Sequence, residues 1–153
     1  MIPTLGDMVV LGLFPAALAL AIVADLFGRV IPNAVIVLLL AGFAALAAAG
    51  VVPELPARFG LAAGVLAAGF ALFWQDVIGA GDAKLAASLA LWLDPAQFPL
   101  FAAICGGLGA LLVLWATLRA RAYPLPPSLP YGVALAGAGL LLFPHSSLMA
   151  GLL

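Results

Sequence analysis

The chain is a succession of apolar stretches separated by short turns rich in Gly, Pro and charge. A helix needs about 20 mostly apolar residues to cross a bilayer, and stretches of that order recur. The first runs from Met8 to Ala24 and stops at Asp25, with Pro15 placed to kink it. The second runs from Ile31 to Gly50, behind the polar pair Gly28-Arg29, with Pro32-Asn33 expected to fix the turn and cap the helix. The segment Val52-Pro53-Glu54-Leu55-Pro56 reads as a loop, because two prolines and a glutamate sit badly in lipid. A third helix follows from Phe59 to Trp74, where Gly60 and Gly64 have the spacing that permits close helix packing.

The fourth stretch is different. Its clean apolar run, Leu85 to Leu93, is too short to span, and reaches that length only by including Gly79-Ala80-Gly81-Asp82-Ala83-Lys84. Polar backbone of this kind is tolerated at membrane depth only inside protein or facing a water-filled cavity. A fifth helix runs from Phe98 to Leu118, with Gly106, Gly107 and Gly109 offering small-residue contacts. A proline-rich loop, Arg119 to Pro130, leads to a last helix from Tyr131 that Pro144 interrupts. The expected fold is an all-α, polytopic membrane protein of about six helices, a single membrane-embedded domain over residues 1–153. No internal repeat suggests a transporter built from two halves. Small-residue faces pack helices within a chain as well as between chains, so they specify no oligomeric state.

Composition agrees and excludes. Of 153 residues, 67% are hydrophobic and 7% charged, against roughly 45–50% and ~25% in soluble domains. A soluble enzyme, a disordered chain and a coiled coil are excluded. Five Lys+Arg against six Asp+Glu leave no basic patch for nucleic acid. The lone Cys105, in an apolar run, rules out an internal disulfide framework or a multi-cysteine zinc site and reads as a buried thiol. No Lys or Arg precedes the first apolar stretch, so it is expected to stay as a membrane helix rather than act as a signal peptide.

Six helices put both termini on one side. The odd loops hold Arg29, Lys84, Arg119 and Arg121, and the even loops only Arg58. The positive-inside rule then places the odd loops in the cytoplasm and both termini outside.

On that topology Asp25 closes the first helix and Asp82 opens the fourth, both at the cytoplasmic face. The plain reading of each is an interfacial residue marking where its helix leaves lipid. Acids at a membrane edge are nonetheless functional candidates by default, and Asp82 lies between small residues that remove side chains beside it. Gly79 and Gly81 let another backbone approach, or allow φ > 0. An extended peptide needs such access to a catalytic acid. Two neighbouring aspartates share one proton, so one can act as base on a water while the other donates to the scissile carbonyl. Other protease chemistries are poorly supplied: no HExxH and no GxSxG is present. The single His145, with Ser146 and Ser147, sits near the far face and reads as a helix terminus.

The run Ala24-Asp25-Leu26-Phe27-Gly28-Arg29-Val30-Ile31-Pro32-Asn33 closely resembles the first active-site region of type IV prepilin peptidases. Gly79-Ala80-Gly81-Asp82-Ala83-Lys84-Leu85 resembles their second, the GxGDxK signature, and Pro130-Tyr131-Gly132-Val133-Ala134 resembles a segment near the end of the shorter members. The resemblance implies a membrane-embedded aspartic endopeptidase with catalytic Asp25 and Asp82. It would cut the leader from a prepilin or pseudopilin at the cytoplasmic face of the bacterial inner membrane, with no cofactor and no metal. The larger members' cysteine-bearing cytoplasmic region is missing, so the chain looks like the short, peptidase-only type of tight-adherence (Flp-like) pili, and methyl transfer is not expected. Lys84 would hold Asp82 ionised, bind acidic groups of the substrate, or reach the lipid headgroups. Gly79, Gly81, Pro32 and Asn33 would support the site. Arg29 reads as a topology determinant, Asp76 as an interfacial acid, and Asp94 as the end of the fourth helix. The alternative function is a small transporter or pilus-assembly subunit using Asp25 or Asp82 as a proton or cation site.

Overall fold

A computed structural model describes residues 5–120 and 130–151, and every regular element among them is helical. Helix α1, Met8–Gly28, opens with a wide π-turn over Met8–Leu13, in which Phe14 N–H donates to Val9 O. The wide turn sits just before Pro15, which has no N–H to donate and whose ring crowds the carbonyl four residues back. The remaining helices are α2 (Asn33–Ala48), α3 (Leu55–Trp74), α4 (Ala80–Trp92), α5 (Phe98–Ala120) and α6 (Tyr131–Leu142). Pro144 breaks α6 into a 3-10 turn, Phe143–His145, and a short helix, Ser147–Ala150, capped by Ser146 Oγ on Met149 N–H at 3.3 Å. Residues 121–129 of the expected proline-rich loop, Arg121 among them, lie outside the described residues, while Arg119 belongs to α5.

Among the described residues a helix stands at each of the six expected places, with several boundaries moved, and the short helix Ser147–Ala150 is additional. Helix α1 continues past Asp25 to Gly28 and ends at Arg29, whose left-handed φ of 54° lets its N–H reach Asp25 O at 3.1 Å. Helix α2 has 16 residues and so is shorter than expected. Helix α3 starts inside the expected loop, because Pro56 falls in its first turn, where the missing N–H has no partner to lose. The stretches Met8–Gly28, Leu55–Trp74 and Pro95–Arg119 are long and apolar enough to cross a membrane, and Asn33–Ala48 and Tyr131–His145 are shorter apolar helices. With Leu11, Phe59, Phe70, Leu111, Leu114 and Trp115 exposed, this is the surface of a polytopic membrane protein rather than one that meets water.

Helix α4 has 13 residues, about 20 Å of helix. It is not one of the spans but the centre of the fold, packed by α2, α3 and α6 and buried from Ala87 to Leu93. A helix apolar all round belongs inside protein. At its end the fully buried Trp92 ring lies 4.6 Å from Phe14 and 6.1 Å from Phe43, and its indole N–H donates to Leu39 O at 3.1 Å. The thiol of Cys105 is buried as expected, facing Ala134 O.

The close helix approach is not at Gly60 or Gly64, where an added methyl would meet open space, nor at Gly106 or Gly107. One such approach is at Gly69, where a Cβ would lie 2.8 Å from Ala83 Cβ and 3.2 Å from Ala83 Cα, and the expected contact at Gly109 is present, a Cβ there lying 2.6 Å from the Tyr131 ring. Gly69→Ala should therefore cost about 1–3 kcal/mol through overpacking. Gly64→Ala should be neutral or gain up to about 1 kcal/mol from helix propensity. Thermal unfolding in detergent separates the two, and equal midpoints would refute the contact.

Arg58 is not the expected loop charge but a fully buried side chain in the first turn of α3. Its guanidinium donates to Pro53 O (2.9 Å), Leu91 O (3.0 Å), Leu93 O (2.8 Å), Ser147 Oγ (2.9 Å) and the Asp94 carboxylate. Asp94 also accepts from Ser147 N–H at 2.7 Å and from its hydroxyl. More than a helix stop, Asp94 joins α3, the end of α4 and the C-terminal segment in one ion-paired knot.

Candidate active site

At the other end of α4, five chain segments meet around an open cavity of about 960 Å³. The end of α1 brings Asp25 and Arg29, the start of α2 brings Ile31 and Asn33, the turn and first residues of α4 bring Asp76 to Asp82 and Lys84, α5 brings Gly106 and Gly109, and Tyr131 opens α6. The polar stretch Gly79–Asp82, with Lys84, thus lines a cavity. Asp25 and Asp82, far apart in sequence, share this one space.

Asp25 is 5% exposed. Its Oδ2 accepts the Val133 N–H at 3.1 Å, and the backbone of Gly132 and the charge of Arg29 also face it. Asp82 is half-buried in the first turn of α4, ahead of the apolar run and outside the membrane-spanning segments, and its Oδ2 accepts the Gly79 N–H at 3.3 Å. Burial pushes the Asp82 carboxyl up to about 6, the neighbouring Asp25 charge adds to the shift, and the Gly79 N–H opposes it. Burial and a neighbouring acid both make a carboxyl harder to ionise.

The two glycines of this segment serve close approach and not φ > 0. Gly79 is extended at φ −73°, ψ 149°. A Cβ on it would lie 3.1 Å from Asp82 Oδ2, and one on Gly81 would lie 3.2 Å from Ile31 Cβ. Gly81 therefore lets the first turn of α4 press against the start of α2. Pro32 is the extended residue that opens α2, its carbonyl accepting Val35 N–H at 3.0 Å. Asn33 does not cap that helix through its side chain. Its Oδ1 instead accepts Lys84 Nζ at 3.2 Å, so the lysine ties the two motif segments together. Asp76 lines the same cavity, exposed and with left-handed φ of 56°. His145 is exposed beyond the far end of α6, away from the cavity.

Sequence reasoning gave no role to the start of α6. Tyr131 packs on Gly109, where a Cβ would be 2.6 Å from its ring, and its hydroxyl donates to Cys105 O at 3.4 Å. A glycine at 132, in the first turn of a helix where alanine would be intrinsically better, was the readable signal of a close neighbour.

The model of the type IV leader peptidase family matches residues 12–114, more than half of the chain, including Asp25 and Asp82. No curated protein and no solved structure matches.

Proposed function

The chain belongs to the type IV leader peptidase family, and on that premise we propose that it removes the leader of a prepilin or pseudopilin with the pair Asp25 and Asp82. The observation that carries this reading is that one buried and one half-buried aspartate, from different segments, line a single open cavity. One carboxylate takes a proton from water as the water attacks the scissile carbonyl. The other, protonated, donates to that carbonyl's oxygen. No covalent intermediate is required. The substrate's apolar helix would remain in the bilayer while its leader reaches the cavity.

We place the cavity at the cytoplasmic face of the inner membrane, and the burial of Arg58 supports that side. Removed from the tally of loop charges, it leaves Arg29 and Lys84 on the cavity side, and Arg119 ends α5. All three fall on the side that the positive-inside rule assigns to the cytoplasm.

The test is purified protein in detergent with Flp-like prepilins, read by intact mass: the leader should be lost. Folded protein that cleaves none of several prepilins would sink the reading. The same assay carries a pH prediction. A carboxyl titrating near 6 is protonated below that pH and ionised above it. The shared proton is therefore lost as pH rises, and kcat/KM, which reports the free enzyme, should fall about tenfold per unit above about 6. A rate that climbs steadily from pH 6 to 8 would contradict it.

A further inference from the structure

We infer that the first turn of α6 sets the orientation of Asp25, and that Gly132 is a positioning residue which only glycine can provide. The inference rests on the dyad reading above and extends it to a segment beyond residues 12–114, the part matched by the family model.

An aspartate's terminal torsion is broad and roughly two-fold, so a carboxyl in an open cavity needs an outside partner to fix its plane. The Val133 N–H supplies one, at 3.1 Å from Oδ2, across 108 residues of sequence. The turn reaches the carboxylate because residue 132 has no side chain. A Cβ there would lie 2.9 Å from Asp25 Oδ2, 3.0 Å from Asp25 Cγ and 2.8 Å from Ile31 Cδ1. Gly137, further along the same helix, has open space around it, so the tight fit is a property of the first turn. That turn is itself anchored, because Tyr131 packs on Gly109 and bonds the Cys105 carbonyl. A methyl at 132 must therefore push the Asp25 carboxyl or the Ile31 side chain, and not the turn.

Gly132→Ala tests this, with Gly137→Ala as the control. A displacement of about 1 Å at a reacting group can cost about 100-fold in rate, so kcat should fall by that order with KM little changed, while Gly137→Ala behaves as wild type. Ile31→Val removes the Cδ1 that the new methyl would strike and leaves the Asp25 contact. The Ile31→Val/Gly132→Ala protein should stay impaired, and restored cleavage would mean that Gly132 serves packing alone. A second readout needs no substrate. The Val133 amide proton should move upfield in both Asp25→Ala and Gly132→Ala as its hydrogen bond is lost. Wild-type kcat in Gly132→Ala, or an unmoved Val133 amide there, overturns the inference. If wild type cleaves no prepilin while the amide shifts as expected, the peptidase reading fails and the positioning of Asp25 stands.

Discussion

Asp82→Asn, and separately Asp25→Asn, should leave a protein that folds and inserts but whose prepilin cleavage is lower by about 10⁴-fold, the upper end for a group in acid–base catalysis. The amide has the shape of the carboxyl and keeps an acceptor oxygen. At 82 that oxygen can still take the Gly79 N–H, and at 25 the Val133 N–H, so the local structure keeps its bonds. What the amide cannot do is take a proton from water or give one to a carbonyl. In the proposed mechanism one proton serves both acids, so losing either member should disable the pair. The double variant should therefore be no slower than the singles, the non-additivity expected of groups that act as a unit. Intact mass and single-turnover rates on matched amounts of folded protein decide the matter. Retained cleavage in either single variant would remove the dyad.

Arg58→Ala should be the most damaging change to stability, with no part in the chemistry. The side chain is fully buried and donates to three backbone carbonyls, Ser147 and Asp94. Removing one partner of a buried pair strands the other, at about 3–5 kcal/mol. Arg58→Lys should rescue little, since one ammonium cannot occupy the positions of a planar fork with several donors. The pair Arg58→Met with Asp94→Leu should be milder than either change alone, because it leaves no orphaned charge. Thermal midpoints in detergent measure all five variants. A wild-type midpoint for Arg58→Ala would show that the network contributes nothing.

The helices were legible because lipid demands long apolar runs, and those runs stand out residue by residue. Asp25 and Asp82 were legible for the complementary reason: acids are rare in such a chain, and each sits in a recognisable motif. What escaped was pairing across the chain. Arg58 read as a loop charge because Pro53 and Pro56 shortly precede it, while its partner Asp94 lies 36 residues on and Ser147 lies 89 on. Gly60 and Gly64 have the right spacing and touch nothing, whereas Gly69 has no such pattern and meets Ala83. Spacing reports which residues share a helix face, not which face finds a neighbour. Asn33 looked like a cap because of its place before a helix, and the backbone chose Pro32 for that position, freeing the amide for Lys84.

The span between Arg58 and Asp94 also sets a schedule for synthesis. Arg58 leaves the ribosome 36 residues ahead of Asp94. At about 5–20 residues per second its counter-ion follows after about 2–7 s. A guanidinium alone in hydrocarbon is costly, so through that interval α3 must keep its Leu55 end in the headgroup layer or in the water of the insertion machinery. The position of Arg58 near that end permits this, since only the tip of the helix has to stay wet. When Asp94 and then Ser147 arrive, the charge is withdrawn from water in the order in which its partners are made.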